Sequence, residues 1–146
     1  MRREDASLAA YPLQLLTPNT KNRIHSQFGN LRTIRQFDPR PFVSIAPGDA
    51  RTRGIRDGAT VRVFNSRGSL RLEARIDHGL KAGCVCITNG WWIADGGAVN
   101  VLSAARETDM GHGAAFHENR VQVERSTGAE TGPDTAGFDP RPQSRS

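Results

Sequence analysis

Short runs of alternating apolar and polar residues constrain the fold of this chain most strongly. The clearest run is residues 69–77, in which Leu70, Leu72, Ala74 and Ile76 fall on one face. Alternation of this kind is typical of half-buried β-strands. The turn-forming residues 65–68 join this run to an earlier one, so the two predict a hairpin. Strands are predicted at residues 12–16, 42–46, 60–65, 69–77, 84–88 and 120–124.

Helical patterns are weak by comparison. Residues 47–54 predict one or two helical turns, with proline and aspartate near the start, arginine near the end and glycine as the stop signal. Residues 31–37 and 99–106 also predict short helices. Short strands at this density, together with 15 glycines, favour a small closed barrel. The predicted fold class is therefore mainly β.

A chain of 146 residues has room for one domain with a modest core. We expect residues 1–7 to be a charged lead-in and residues 8–125 to form the folded domain. Residues 126–146 are rich in Ser, Thr, Gly, Pro and Arg without periodicity, which predicts a disordered tail. The sequence has no apolar stretch of membrane-spanning length and no signal-peptide pattern at its start, so we expect no membrane association and a cytoplasmic location.

The charge balance favours anionic partners. The net charge is +5 and the sequence pI is about 10.2, but the arginines are scattered and form no run of five or six. A basic nucleic-acid-binding barrel is therefore one alternative function. It is weakened because aromatic residues make up only 6% of the chain, which is few for a stacking platform. A second alternative is a protein-recognition barrel, which would expose a large apolar patch.

Cys84 and Cys86 are separated by one residue and would share a face of a strand. Two cysteines do not make a zinc site, and this spacing seldom makes a disulfide. We predict two small buried apolar side chains.

A polar loop, residues 17–27, follows directly on the predicted strand 12–16. Binding groups commonly occupy loops that are held by the ends of buried strands. Almost nothing in the loop except His25 could act as a base or nucleophile, so its composition favours binding over catalysis. We predict a cradle for a phosphorylated ligand. Its candidate binding residues are Thr17, Asn19, Thr20, Lys21, Arg23, His25, Ser26 and Gln27.

Asp49 has two possible roles within the predicted helix 47–54. A carboxylate can accept two N–H bonds from a guanine edge. An acid in the first turn of a helix also stabilises the helix dipole, and we favour this structural role.

Several motifs, in this order, resemble the C-terminal molybdopterin-dinucleotide-binding domain of the dimethyl sulfoxide reductase family of molybdenum and tungsten oxidoreductases. The resemblance covers residues 11–124. The matching motifs are Y-P-L-Q-L-L-T-P at residues 11–18, H-S-Q at 25–27, the helix–hairpin block 47–68, G-W-W at 90–92, N-V-L at 100–102 and G-A-A-F-H-x-x-R-V-Q-V at 113–123. It implies a six-stranded double-psi β-barrel with short peripheral helices.

The resemblance also implies a cofactor, the bis form of molybdopterin guanine dinucleotide, held through a partial site on this chain. Trp92 would lie against the ring system, Asn100 would bond to a polar edge and His117 would close the site. Trp91 is the alternative to Trp92, and Asn100 could instead cap the helix that follows it. The cradle would hold the pyrophosphate through backbone N–H groups, through hydroxyls and through the cations Lys21 and Arg23.

The metal-ligating residue of such enzymes comes from another domain, and the chain has no set of cysteines for an iron–sulfur cluster. The resemblance therefore implies a domain or small subunit whose partner is the remainder of a molybdopterin oxidoreductase. We expect the isolated chain to bind part of the cofactor and to catalyse no turnover.

Overall fold

Six β-strands form a closed barrel in the computed structural model, which describes residues 8–103, 119–127 and 132–133. The barrel strands are β1 (Leu13–Leu16), β2 (Phe42–Ile45), β3 (Thr60–Phe64), β4 (Ser69–Ile76), β5 (Cys84–Cys86) and β6 (Arg120–Arg125). The helices are α1 (Arg32–Phe37) and α2 (Pro47–Thr52), and two 3-10 helices span Ile93–Asp95 and Val99–Leu102. A two-residue strand, β7 (Gly132–Pro133), pairs with β4.

Hydrogen bonding runs in the order β2-β5-β1-β6-β3-β4, and pairing of β4 back to β2 closes the ring. Two of these pairings are parallel, namely β1 with β5 and β2 with β4. The remaining pairings within the ring are antiparallel, including the predicted hairpin of β3 and β4. The predicted mainly β, six-stranded barrel is confirmed.

Alternate residues of the strands fill the barrel. Leu70, Leu72 and Ala74 are fully buried, as the alternation predicts, and Ile76 packs against the core from a partly buried position. Other fully buried core side chains come from all the remaining barrel strands or the residue that follows β5. They include Leu15, Val43, Ile45, Val61, Val63, Val85, Ile87 and Val121.

The prediction that the cysteines are buried is wrong. Strand β5 turns Val85 into the core, so Cys84 and Cys86 lie on the opposite face and are half-buried free thiols. The spacing placed them correctly on one face, but it could not show which face was the inner one.

Helix α2 forms as predicted, with Pro47 at its start and Asp49 in its first turn. Asp49 Oδ2 accepts a 2.7 Å hydrogen bond from the Gly83 N–H, and Asp49 Oδ1 lies 3.7 Å from Arg53 Nη1. These contacts support the structural role of Asp49 rather than recognition of guanine.

The predicted helix at residues 99–106 is a 3-10 helix over Val99–Leu102, and its later residues lie outside the described part of the chain. The division into lead-in, domain and tail stays a prediction. Within the described residues, no helix has the length and apolar character needed to cross a membrane.

Candidate ligand-binding cavity

A cavity of about 510 Å³ lies where the chain leaves the parallel strands β1 and β5. Because Leu16 pairs with Cys86, the segments after both strands emerge side by side. The backbone continues this pairing beyond the strands, with Ile87 N–H donating to Leu16 O and Asn89 N–H to Pro18 O. The 3-10 helix Val99–Leu102 and its flanking residues complete the wall.

Five predicted site residues line this cavity. They are Thr17, Asn19, His25, Ser26 and Asn100. Seven lining residues were not among the predicted ones, and they are Pro18, Asn89, Gly90, Trp91, Ala98, Val99 and Ser103. The predicted cradle therefore forms one wall of the cavity. The segment after β5 and the residues in and around the 3-10 helix Val99–Leu102 form the other two walls, and the sequence predicted few of their residues.

Asn89 connects the segment after β5 to the loop after β1. Its side-chain amide donates to Thr17 O at 3.2 Å and to Asn19 Oδ1 at 2.8 Å. Its own carbonyl oxygen, Asn89 Oδ1, is buried and has no partner within the described structure. An amide with its donors used and its acceptor unfilled is a ready acceptor for a ligand N–H, because burial of an unpaired polar atom is unfavourable.

A close backbone contact sets the position of His25. Its φ of 53° lies in the left-handed region, in a turn closed by Gln27 N–H donating to Ile24 O. The His25 carbonyl lies directly against Gly90, where a β-carbon would collide with it. Gly90 itself has a φ of 81°. Only glycine allows both this conformation and this approach.

Trp91, rather than Trp92, lines the cavity. The Arg23 guanidinium stacks 3.6 Å from the Trp91 ring centroid, and Trp91 Nε1 donates to Thr88 Oγ1 at 3.0 Å. Trp92 is 57% exposed and is not a lining residue. The stacked cation and the indole hydrogen bond hold Trp91 at the cavity, and the contact of Trp92 with the ring system of the cofactor stays a prediction.

Arg23 is a structural cation rather than a free one. It is only 6% exposed, lies 3.8 Å from Asp38 and donates to Gly90 O at 3.4 Å. Burial lowers the pKa of Arg23, and the charges of Asp38 and Asp95 oppose that shift. Arg23 braces Trp91 and Gly90, while its Nε and Nη2 atoms are buried without a hydrogen-bond partner among the described residues. Its phosphate contact stays a prediction.

Asn100 lies inside the 3-10 helix, exposed on the cavity wall. Ala98 occupies the N-cap position without a side-chain cap bond, so Asn100 does not serve as the cap. The buried Asn65 fixes this helix by donating to Leu102 O at 2.7 Å and to Arg120 O at 3.2 Å. Sequence reasoning missed Asn65, although an asparagine between two apolar strands was a visible signal.

The other predicted residues lie away from the cavity lining. Lys21 and Gln27 are exposed, and Thr20 is half-buried with an Oγ1 that lacks a partner within the described structure. His117 lies outside the described residues.

The cavity wall combines hydrogen-bonding side chains with the Trp91 indole and the apolar residues Pro18, Ala98 and Val99. None of the lining residues among the described ones is a carboxylate. Residues 8–103, 119–127 and 132–133 also hold no group of three or more His, Cys, Asp or Glu that could bind a metal ion. The arrangement can bind the polar edge of a flat heterocycle or a sugar, and it offers little for acid–base or nucleophilic catalysis.

Residues 13–120 match the family model for the Molydopterin dinucleotide binding domain. The chain is 39% identical over 118 residues to a protein of Halobacterium salinarum described as a putative dimethyl sulfoxide reductase catalytic chain, covering 80% of this chain and 14% of that protein. It is 37% identical over 122 residues to the dimethyl sulfoxide reductase DmsA of Escherichia coli, covering 79% and 15%.

Acetylene hydratase from Pelobacter acetylenicus has a similar fold, with a TM-score of 0.68 and 19% identity. The similarity covers 80% of this chain and 18% of that one. The chain thus spans about one seventh of the length of the two reductase relatives, at 14% and 15%.

Proposed function

The chain belongs to the molydopterin dinucleotide binding domain family, and we propose that its cavity holds the dinucleotide of molybdopterin guanine dinucleotide within a larger oxidoreductase of the dimethyl sulfoxide reductase type. The observation that carries this proposal is the position of the cavity. It lies where the segments after the parallel strands β1 and β5 meet, and it is lined by the polar loop that follows β1.

The lining residues suit this cofactor. Asn19, Ser26 and Asn100 present neutral donors and acceptors that match the dense nitrogen and oxygen edge of guanine or pterin. Asn89 Oδ1 is a buried acceptor without a partner in the described structure, suited to an N–H of such a ring. A volume of about 510 Å³ is within the usual range for a small-molecule site.

Phosphate groups would be bound mainly by hydroxyls and backbone N–H groups. Thr17 and Ser26 line the cavity, whereas the cation Lys21 is exposed nearby in the same loop. A nucleotide diphosphate placed here would draw Lys21 toward it through charge.

The role of this chain in the reaction is to bind and orient. When bound, the cofactor's molybdenum or tungsten supplies the redox chemistry. The residues of this chain would hold the dinucleotide through hydrogen bonds and contact with Trp91, while the remainder of the enzyme would hold the substrate. The partner in this proposal is that remainder, either in the same polypeptide or in a separate large subunit.

Guanosine diphosphate (GDP) binding tests the proposal. We expect weak binding, with a Kd between high micromolar and millimolar, about −4 to −6 kcal/mol. The chain provides only part of a site that several domains complete, so much of the ligand stays in contact with water. Isothermal titration calorimetry measures this affinity directly.

His25→Ala provides the mutational test, with His78→Ala as its matched control. His25 lines the cavity, whereas His78 is exposed and does not. Loss of one hydrogen bond, worth about 0.5–1.5 kcal/mol, should weaken GDP binding roughly 2- to 12-fold in His25→Ala. His78→Ala should bind like the wild type. Equal affinities in both variants would reject this cavity as the nucleotide site.

A further inference from the structure

Exposed large apolar side chains are concentrated in one part of the described structure. This set, which we call the apolar collar, consists of Ile24, Phe28, Leu31, Phe37, Trp92 and Ile93. Among the described residues, Leu8 is the only other exposed large hydrophobic residue. Their exposed fractions range from 48% for Leu31 to 68% for Phe37.

The segments that carry the apolar collar are bound to one another. Arg35 Nη2 in α1 lies 3.6 Å from Asp95 Oδ1 in the 3-10 helix that begins at Ile93. Arg23 joins the loop after β1 to the segment after β5 by stacking on Trp91, and its ion pair with Asp38 reaches the end of α1. The segments that carry the collar therefore neighbour one another beside the cavity.

Helix α1, which carries Phe37, is also poorly buried. It spans six residues, and none of them is buried against the barrel. Helices this short are marginal in water without packing against other structure. An apolar surface of this kind, next to a ligand cavity, is typical of a protein interface.

The lengths of the relatives identify the kind of partner. The matched region makes up 14% of the Halobacterium salinarum protein and 15% of the Escherichia coli protein, so most of each polypeptide lies outside it. The collar also adjoins the cavity, since Trp91 lines the cavity and the next residue, Trp92, belongs to the collar. We infer that the apolar collar docks onto the remainder of a dimethyl sulfoxide reductase-type catalytic polypeptide. This inference rests on the proposed function.

Affinity capture tests the docking. The tagged chain is isolated from the cells that encode it after mild crosslinking, and captured proteins are identified by mass spectrometry. The wild type should capture a polypeptide with molybdopterin-oxidoreductase sequence. Phe37→Ser/Ile93→Ser removes two collar side chains and should reduce its recovery at least tenfold, whereas Leu8→Ser, an exposed apolar residue outside the collar, should retain it.

Other occupants of the collar give distinct results. Sedimentation of the purified wild type as a dimer that Phe37→Ser/Ile93→Ser abolishes would assign the collar to a second copy and overturn the inference. Protection of Phe37 and Trp92 from hydroxyl-radical oxidation in the purified monomer would show that the chain covers the collar itself, which would also overturn it. Capture of no such polypeptide by the wild type, or equal recovery by the double variant, would likewise reject the inference.

GDP binding separates the two proposals. The double variant should bind GDP within twofold of the wild type, because neither Phe37 nor Ile93 lines the cavity. Lost capture with retained GDP binding supports the docking surface, whereas absent GDP binding in the wild type with retained capture rejects the proposed function of the cavity alone.

Discussion

The variant Gly90→Ala tests whether the contact of Gly90 with the His25 backbone, which joins the segment after β5 to the loop after β1, shapes the cavity. Gly90 has a φ of 81°, and a β-carbon there would lie closer than 3.0 Å to backbone atoms of His25. Gly58 is a matched control, since its φ is 78° and no atom lies within 4 Å of the added carbon. The two alanine variants therefore share the conformational cost and differ in the collision.

The conformational cost of a left-handed alanine is about 1–2 kcal/mol in either variant. Gly90→Ala must also displace the His25 backbone, and overpacking of this kind adds about 1–3 kcal/mol. We therefore expect Gly58→Ala to lower the free energy of unfolding by about 1–2 kcal/mol and Gly90→Ala by about 2–5 kcal/mol. Displacement of His25, a lining residue, should also weaken GDP binding in Gly90→Ala alone.

Urea denaturation measures the two stabilities, and calorimetric titration with GDP measures the binding. A cost for Gly90→Ala within about 0.5 kcal/mol of that for Gly58→Ala would mean that the two loops separate freely. If GDP affinity were also unchanged, the contact between Gly90 and His25 would have no part in forming the site.

Three further predictions concern the core, the buried cation and the thiol. Leu72→Ala should cost about 2–5 kcal/mol in urea denaturation, because Leu72 is fully buried in the barrel. Arg23→Met should cost about 1–2 kcal/mol and increase acrylamide quenching of tryptophan fluorescence, because Trp91 loses its stacked cation. Burial, and secondarily the charge of Asp77, raises the pKa of Cys86, so the folded chain keeps a proton that the unfolded chain loses. The free energy of unfolding should therefore fall as pH rises above about 8.5, and the fall should be smaller in Cys86→Ala when urea midpoints at about pH 7.5 and 9.5 are compared.

The strands were predictable because their signal is local. The alternation in residues 69–77 matches Ser69–Ile76, and the turn between the hairpin strands falls where Asn65 N–H donates to Gly68 O. Which strands neighbour each other depends on contacts between distant residues. No local pattern showed that β1 would pair in parallel with β5, and that pairing is what creates the cavity.

Only the part of the cavity formed by the loop after β1 was predictable, because the other parts depend on contacts between distant residues. The polar loop after β1 was visible as a segment, and it supplies five lining residues, Thr17, Pro18, Asn19, His25 and Ser26. Asn89 and Gly90 reach the cavity through the β1–β5 pairing, which the sequence does not display.

The choice between the two tryptophans required the environment of each ring. Adjacent residues on an extended segment point to opposite sides, so Trp91 and Trp92 could not both face inward. The Arg23 stack and the Thr88 hydrogen bond select Trp91. The burial of Arg23 against Trp91 could not be predicted, because it depends on contacts between distant residues.

A nuclear magnetic resonance titration tests the central claim most directly. GDP and a single-stranded oligonucleotide without guanine are added separately to the isotopically labelled chain, and amide shifts are mapped. The claim that the cavity binds the guanine dinucleotide predicts saturable shifts with GDP in residues 17–26, 89–91 and 98–103, and weak, dispersed shifts with the oligonucleotide. Equal shifts with both ligands, spread over the arginine-bearing faces of the barrel, would contradict the claim and favour a nucleic-acid-binding barrel.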